Sequence, residues 1–184
     1  MKKYTLGALV VLVAILALGG WLWYGKHKEK QAQVKQEVPQ TAINTSSWKT
    51  YQNTDYGFSV KYPGEWKEMP LANDIKGMGF TEGNGHIFTV AYYGGFNDGG
   101  WVDSSGNHIS SLEEYVKSTN LDSVKEIDFH GLKAFTGIEK NKIINYVGRV
   151  IFVENKGYLY ELSFPKTTEL NDVQNEIVSS FKFI

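Results

Sequence analysis

The sequence predicts an α+β domain, an antiparallel β-sheet flanked by helices, that follows an N-terminal transmembrane helix. Three observations support this prediction. Residues 6–24 contain no charged side chain. Residues 57–164 hold short stretches of alternating or apolar residues joined by turns rich in Gly, Asn and Pro, which is typical of antiparallel strands. Two segments, near residues 110–119 and 169–181, repeat apolar side chains every three or four positions, as an amphipathic helix does.

The apolar stretch at residues 6–24, which begins with Leu6 and ends with Tyr24, predicts the membrane anchor. Its nineteen residues would form a helix of about 28 Å, close to the hydrocarbon thickness of a bilayer. Residues 17–19, Ala-Leu-Gly, offer an alternative, because a signal peptide could be cleaved there. Trp21 and Trp23 suit the headgroup interface and extend the apolar run to spanning length. We therefore predict a retained anchor whose partner is the lipid bilayer.

The orientation of the anchor rests on two opposing signals. Lys2 and Lys3 form a short positive leader, typical of a signal that keeps its own N-terminus inside and exports the chain after it. More lysines follow the apolar stretch, and by the positive-inside rule they favour a cytoplasmic domain. These are Lys26, Lys28, Lys30 and Lys35. We follow the leader and predict a single-pass protein of the cell membrane with an extracytoplasmic domain.

Composition divides the chain into an anchor at residues 1–25, a polar linker at 26–47 and a globular domain at 48–184. Pro39 should end any helix that continues from the anchor into the linker. Residues 1–46 hold six Lys and two Glu (net +4), whereas residues 47–184 hold thirteen Lys and Arg against eighteen Asp and Glu (net −5). This division fits a basic tether near anionic headgroups and argues against nucleic acid as a partner. The absence of Cys excludes disulfides and thiolate metal sites.

The domain opens with a strand at residues 57–62, where apolar and polar side chains alternate strictly. Pro63 and Gly64 end this strand, and Trp66 should pack under the turn. This segment resembles the opening motif of the PsbP-like domain family, which includes the extrinsic photosystem II protein and many bacterial relatives. The residues that carry the resemblance are Tyr56-Gly57-Phe58-Ser59-Val60-Lys61-Tyr62-Pro63 and Trp66, with a fitting C-terminal run, Ile177-Val178-Ser179-Ser180-Phe181.

The resemblance covers most of residues 48–184 and implies an antiparallel sheet between helices, an α/β/α sandwich. Plant members of the family assist a membrane complex from the lumenal side as non-enzymatic accessory proteins. The resemblance therefore implies an accessory role, and no catalytic motif comes with it. This chain departs from those members in its retained anchor, and nothing in it indicates photosynthesis.

Residues 75–81 and 87–93 predict the next two strands, with a hairpin turn over residues 83–85. The segment at residues 94–108 is rich in Gly and predicts a long loop, bounded by Gly94 and His108. Exposed aromatic side chains beside carboxylates could hold a sugar, a peptide or a cation. The candidate ligand-binding residues are Phe96, Asp98, Trp101 and Asp103. The simpler interpretation is a hairpin extension that Trp101 folds back over the sheet.

A first helix should begin near Ser110, which has capping-box spacing to Glu113. One of its faces carries Leu112, Tyr115, Val116 and Thr119. Residues 124–129, 132–138, 143–154 and 158–164 predict four strands of an antiparallel meander, because short turns join them at 130–131, 139–142 and 155–157. A second helix at about residues 169–181 should seal the core with Leu170, Val173, Ile177 and Phe181.

No pattern of catalytic or metal-ligating residues stands out, so we predict no catalytic residue, metal or cofactor. His86, His108 and His130 lie in separate turns, which favours surface histidines. Asp103, Ser105 and Asn107 match the first three ligand offsets of a calcium loop, but His108 stands where that loop requires Gly. Arg149, the single arginine of the chain, lies on a strand face and should form a structural ion pair.

Two main hypotheses for the function follow, beside a third in which the domain only provides bulk or spacing at the membrane. The first is an anchored, non-enzymatic accessory domain that binds a protein of the cell envelope through its surface. The second is an anchored ligand receptor or hydrolase whose site lies on the 94–108 loop. An accessory domain should expose a patch without a deep pocket, whereas a receptor or hydrolase needs a concave site with converging polar groups.

Overall fold

A computed structural model describes residues 43–72, 75–83, 85 and 87–184 of the chain. The predicted anchor at residues 6–24 and the linker as far as residue 42 lie outside the described residues. Within the described ranges, no helix combines the length and apolarity needed to cross a membrane. The folded unit runs from Ile43 to Ile184.

Ten strands, two α-helices and one short 3-10 helix make up the described chain. The strands are β1 (Lys49–Asn53), β2 (Phe58–Tyr62), β3 (Lys67–Met69), β4 (Lys76–Thr81), β5 (Phe88–Gly95), β6 (Asp122–Phe129), β7 (Leu132–Asn141), β8 (Tyr146–Asn155), β9 (Tyr158–Pro165) and β10 (Lys182–Phe183). The helices are α1 (Leu112–Ser118) and α2 (Asp172–Ser180), and the 3-10 helix spans Phe96–Asp98. The predicted α+β class is confirmed.

The strands form two antiparallel sheets. The larger sheet has seven strands in the order β3-β4-β5-β9-β8-β7-β6, and the smaller has three in the order β1-β2-β10. Strands β6 to β9 are neighbours in succession, so the predicted antiparallel meander is confirmed. The strand predicted at residues 57–62 is also present, but it pairs with β1 and with β10 rather than joining the larger sheet.

One face of the larger sheet, here called the first face, carries Tyr160, Leu162 and Phe164 of β9 and is covered by the smaller sheet and α2. The core between these layers is largely aromatic. Phe58 of β2 is fully buried, and its ring stacks on that of Phe181 with centroids 5.6 Å apart. Because β2 alternates apolar and polar residues, all of its apolar side chains reach this core.

Helix α2 closes the first face, as its apolar spacing predicts. It begins at Asp172, three residues later than about 169, because Asn171 caps it. The Asn171 side chain accepts a hydrogen bond from the Gln174 amide at 2.9 Å, and the Gln174 side chain accepts one from the Asn171 amide at 3.0 Å. Ile177 is fully buried beneath the helix.

The turn after β2 positions the entry of the chain into the domain. Trp66 is buried, and its amide donates a hydrogen bond to the Pro63 carbonyl at 3.0 Å, which confirms the predicted packing under the turn. The Ser47 carbonyl lies directly against Gly64, so that any side chain at residue 64 would clash with it. The chain that precedes β1 is therefore packed against this turn.

The opposite face of the larger sheet, here called the second face, carries Leu159 of β9 and both Val150 and Phe152 of β8. It is covered by α1 and by residues 96–109. Helix α1 begins one residue later than predicted, since Ser111 rather than Ser110 accepts the capping hydrogen bond from the Glu114 amide. With only seven residues, α1 leaves much of this face without a covering helix.

The β7–β8 hairpin differs from its prediction. Strand β7 continues to Asn141 and β8 begins only at Tyr146, so Ile143 and Ile144 lie in the turn rather than in a strand. The Asn141 side-chain oxygen accepts hydrogen bonds from the Ile143 amide at 3.0 Å and the Ile144 amide at 3.4 Å. This local side-chain bonding competes with strand pairing and shifts the turn.

Candidate functional site

The four ligand-binding residues predicted on the 94–108 segment are engaged within the segment and with α1. Phe96 is buried, and the half-buried Trp101 ring lies 5.6 Å from it. The Trp101 indole donates a hydrogen bond to the Gly95 carbonyl at 3.0 Å, and its ring meets Tyr115 of α1 edge-on at 5.2 Å. These two aromatic side chains therefore belong to the core of the second face.

The two carboxylates hold turns of the same segment. Asp98 accepts a hydrogen bond from the Gly95 amide at 2.9 Å. Asp103 accepts bonds from the Ser105 amide at 2.8 Å and from the amide and side chain of Asn107, both at 2.9 Å. These bonds, led by that from the Asn107 side chain, lower the pKa of Asp103. The carboxylates thus fix the shape of the segment and do not converge with Phe96 on one cavity.

A β-bridge between Val102 and His108 turns this segment into a small hairpin. The calcium-loop pattern of this segment extends beyond Asp103, Ser105 and Asn107. Counted from Asp103 as the first position, Glu114 stands at the twelfth, where a calcium loop has its last ligand. The Glu114 carboxylate accepts hydrogen bonds from the amide and hydroxyl of Ser110 at 2.7 and 2.9 Å. Across the described ranges, no three His, Asp or Glu side chains are grouped as metal ligands would be.

Arg149 lies on the first face and does not form the predicted ion pair within the described part of the chain. Its Nε donates to the Thr168 carbonyl at 2.9 Å, and a second guanidinium nitrogen donates to the same oxygen. Thr136 lies within 3.5 Å of the third nitrogen. The guanidinium therefore holds the loop after β9 by donating to a main-chain carbonyl. The alternating side chains of β8 give no signal of this partner.

A polar cluster that the sequence analysis missed lies on the second face, beside α1. Its centre is Glu161 of β9, whose neighbours across the sheet are Ala91 of β5 and Phe152 of β8. Tyrosines from three elements and a second carboxylate surround it. We define the tyrosine–carboxylate cluster as Tyr93, Tyr115, Glu139, Tyr146, Glu161 and Ser163.

Glu161 is the most perturbed carboxyl of the cluster. Tyr93 donates a hydrogen bond to its Oε2 at 2.8 Å. Burial raises the pKa of Glu161 to about 7, and the negative charge of Glu139 adds to this effect, while the Tyr93 bond opposes it. Glu161 is therefore protonated more readily than an exposed carboxyl.

The tyrosines around Glu161 keep their protons at physiological pH. Burial and the charge of Glu161 raise the pKa of Tyr93 and bring that of Tyr115 to about 12. Burial also raises the pKa of Tyr146, whose hydroxyl lies 3.3 Å from the Ser163 hydroxyl. The cluster therefore presents neutral hydroxyl groups and aromatic rings around one titrating carboxyl.

A glycine makes room for one of these rings. A Cβ added at Gly148 would come within 2.5 Å of the Tyr146 hydroxyl oxygen, so the Tyr146 side chain lies across the bare backbone of β8. Trp101 borders the cluster on the other side, because its ring meets Tyr93 at 6.3 Å. The predicted site residue Trp101 thus lies next to the cluster rather than at its centre.

Such an arrangement can bind a cationic or hydrogen-bonding group. Carboxylate oxygens accept hydrogen bonds from an ammonium or guanidinium, and the faces of tyrosine and tryptophan attract cations. One sequence signal pointed to the centre of the cluster: Glu161 interrupts the apolar run of β9, between Tyr160 and Leu162. An acidic residue within a buried strand is rarely there for packing alone.

Comparison with known proteins finds the fold in solved structures. No protein-family model matches the chain, and no curated protein matches it. A crystal structure of a protein from Bacteroides thetaiotaomicron superposes with a TM-score of 0.51 at 12% identity, over 74% of this chain and 48% of that one. The chain thus spans about half the length of that protein.

The second solved structure is the solution structure of cyanobacterial PsbP (CyanoP) from Synechocystis sp. PCC 6803. It superposes with a TM-score of 0.50 at 13% identity, over 78% of this chain and 96% of CyanoP. Identities this low establish likeness of fold alone. The described domain has a PsbP-like fold.

Proposed function

We propose that the chain is a non-enzymatic accessory protein held at a cell membrane by residues 6–24. Its extracytoplasmic domain, a member of the PsbP-like family, binds a partner protein of the cell envelope. The observation that carries the proposal is the tyrosine–carboxylate cluster, which occupies the part of the second face that α1 leaves without a covering helix. Tyrosine and tryptophan supply much of the binding energy at protein interfaces, and both border this cluster.

The surroundings of Glu161 favour a basic group on the partner. A lysine or arginine side chain placed between Glu161 and the tyrosine rings would gain a charge-assisted hydrogen bond and cation–π contacts. The second carboxylate, Glu139, adds negative potential at the same place. Since a cation stabilises the ionised carboxyl, binding should strengthen as the pH rises through about 7.

Photo-crosslinking in cells tests the proposed surface. A photoreactive phenylalanine replaces Tyr93 in one variant and Tyr158 in a matched control, since these side chains have similar exposure, 37% and 40%. Tyr93 lies in the cluster, whereas Tyr158 lies at the edge of the first face, beside Tyr92. We expect a discrete protein adduct from position 93 and none from position 158. Absence of an adduct at position 93, or the same adducts from both, would contradict the proposal.

Cysteine labelling tests the proposed location. Because the chain contains no Cys, one cysteine at the exposed Ser105 can be probed with a membrane-impermeant maleimide. We expect labelling in intact cells as strong as in lysed cells. If labelling required lysis while the protein stayed in the membrane fraction, the domain would be cytoplasmic, as the lysines after the anchor favour, and its partner would have to be sought there.

A second candidate function is an anchored ligand receptor or hydrolase with its site beside the 94–108 segment. The raised pKa of Glu161 favours this candidate, since such shifts are frequent at catalytic and ligand sites. Binding of a small amine would then persist in the purified protein and disappear in Glu161→Gln. A protein-binding surface predicts no measurable affinity for the free amine.

A further inference from the structure

The tip of the β7–β8 hairpin exposes two large aliphatic side chains. Ile143 is 95% exposed and Ile144 is 70% exposed, more than any other large apolar side chain in the described part of the chain. Full burial of one isoleucine side chain is worth about 1.5–3 kcal/mol. Two adjacent isoleucines left in water at a loop tip therefore indicate a surface that is covered by something in the working protein.

The structure holds these side chains outward in a defined turn. The Asn141 side chain accepts hydrogen bonds from both isoleucine amides, and Asn145 closes the turn in the left-handed conformation with φ of 50°. Asn adopts this conformation more readily than most residues. The exposure of the two isoleucines is thus built into the hairpin rather than the result of a frayed strand end.

The tip lies at the same end of the domain as the entry of the chain. Asn141 of β7 pairs with Tyr146 of β8, and Lys67 of β3 pairs with Thr81 of β4. Both pairs lie at this end of the larger sheet. Ser47 packs against Gly64, which precedes β3 by only three residues. Four inter-strand steps separate β3 from β8, so these two strands lie about 20 Å apart across the sheet.

The turn at the tip carries lysines, although Glu139 lies just before it. Residues 140–146 contain two lysines and no acidic residue. Lys140 is paired with Asp122 at 2.7 Å, whereas Lys142 is adjacent to Ile143 and exposed. Lys166 joins this end, because its amide donates a hydrogen bond to the Val147 carbonyl at 2.7 Å. A lysine near an anionic leaflet contributes about 1 kcal/mol of attraction.

We propose that Lys142, Ile143 and Ile144 form a second membrane contact, in which the two isoleucines enter the headgroup region of an anionic bilayer and Lys142 pairs with lipid phosphate. The inference rests on the anchor in the proposed function, since an anchored domain works beside a bilayer. Two contacts, one at the tether and one at the tip, would fix the orientation of the domain and turn the tyrosine–carboxylate cluster toward a partner in the same membrane.

The test uses the full chain reconstituted into phosphatidylcholine vesicles with and without phosphatidylglycerol. Because the chain lacks Cys, an NBD fluorophore can be attached to Ile144→Cys and, as a matched control, to Thr54→Cys. Thr54 is exposed in the turn between β1 and β2, and it borders a groove with Tyr158 at the opposite end of the larger sheet. Spin-labelled lipid then reports which position reaches the bilayer, and flotation reports whether the protein is anchored.

On vesicles with phosphatidylglycerol we expect spin-labelled lipid to quench NBD at position 144 about threefold more than at position 54. Adding Lys142→Glu should reduce this difference on anionic vesicles but not on neutral ones. Equal quenching at the two positions in floated vesicles would overturn the membrane contact and leave the anchor intact. Failure of the protein to float with vesicles would overturn the anchor together with this inference. Insensitivity to Lys142→Glu would overturn the role of Lys142.

Discussion

The two faces of the seven-stranded sheet are covered in different ways. The first face is closed by a second sheet and α2, and its core is packed with aromatic rings such as Phe58 and Phe181. The second face is covered by a seven-residue helix and a hairpin, and a titrating carboxyl, Glu161, remains among tyrosines there. The aromatic core and the titrating carboxyl thus lie on opposite sides of one sheet, so the second face carries a group that opposes folding while the first face is closed by apolar packing.

Truncation of Phe58 should produce the largest effect, because it removes a ring at the centre of the first face. We expect Phe58→Ala to lower the free energy of unfolding by about 3–5 kcal/mol. Urea unfolding of the detergent-solubilised chain, followed by near-UV circular dichroism, measures this change in the free energy of unfolding. Val102→Ala, at a side chain that is 58% exposed, is the control and should change little. A loss at Phe58 as small as at Val102 would remove the distinction between the faces.

Replacement of Glu161 should give a smaller, pH-dependent effect of opposite sign. The pKa is about 7 in the folded protein and near 4.5 in the unfolded chain, so folding binds a proton between these values. Stability should therefore fall as the pH rises from about 4.5 to 7, by at most about 3 kcal/mol. Glu161→Gln should remove this loss and be more stable than the wild type at pH 8, as unfolding at two pH values would show.

The control for this comparison is Glu169→Gln, at an exposed carboxyl in the loop before α2. Its unfolding should follow the wild-type pH dependence. If Glu161→Gln lost stability equally at pH 5 and pH 8, the carboxyl would be a structural hydrogen-bond acceptor, and the second face would contribute to stability as the first face does.

The smallest effect is expected at Trp101, which joins the hairpin to the cluster. Trp101→Ala should leave the fold intact and cost about 2 kcal/mol, since the ring is half-buried and makes edge contacts with Tyr93 and Tyr115. Circular dichroism checks the fold and urea unfolding the stability, with Tyr158→Ala as a control on the other face. A collapse of the whole domain would mean that the second face is as essential to folding as the first.

The sequence predicts correctly those elements in which the spacing of apolar side chains follows from the burial of one face. The alternation of residues 57–62, the four-strand meander and the apolar stripe of α2 all depend on one buried face, and each is present. What the pattern could not show is how strands are grouped, because the pairing of β2 with β10 joins segments from opposite ends of the domain. Long-range pairing leaves no local signal in either strand.

The site was harder to predict, because its members are distant in sequence. The sequence predicts Trp101, Asp98 and Asp103 as candidate ligand-binding residues, but the two carboxylates hold turns through hydrogen bonds to nearby amides. Tyr93 and Glu161 meet only because β5 and β9 are adjacent in the sheet. A strand pattern reports which face a residue occupies, but not which residue lies beside it.

The pairing of β10 with β2 also has a consequence for the synthesis of the protein. Residues 58 and 59 pair with residues 182 and 183, so the small sheet stays incomplete until nearly the whole domain has left the ribosome. The last strand of the small sheet can therefore pair with β2 only after every strand of the larger sheet has been synthesised. If the chain is exported through a membrane channel, this final pairing would follow transport.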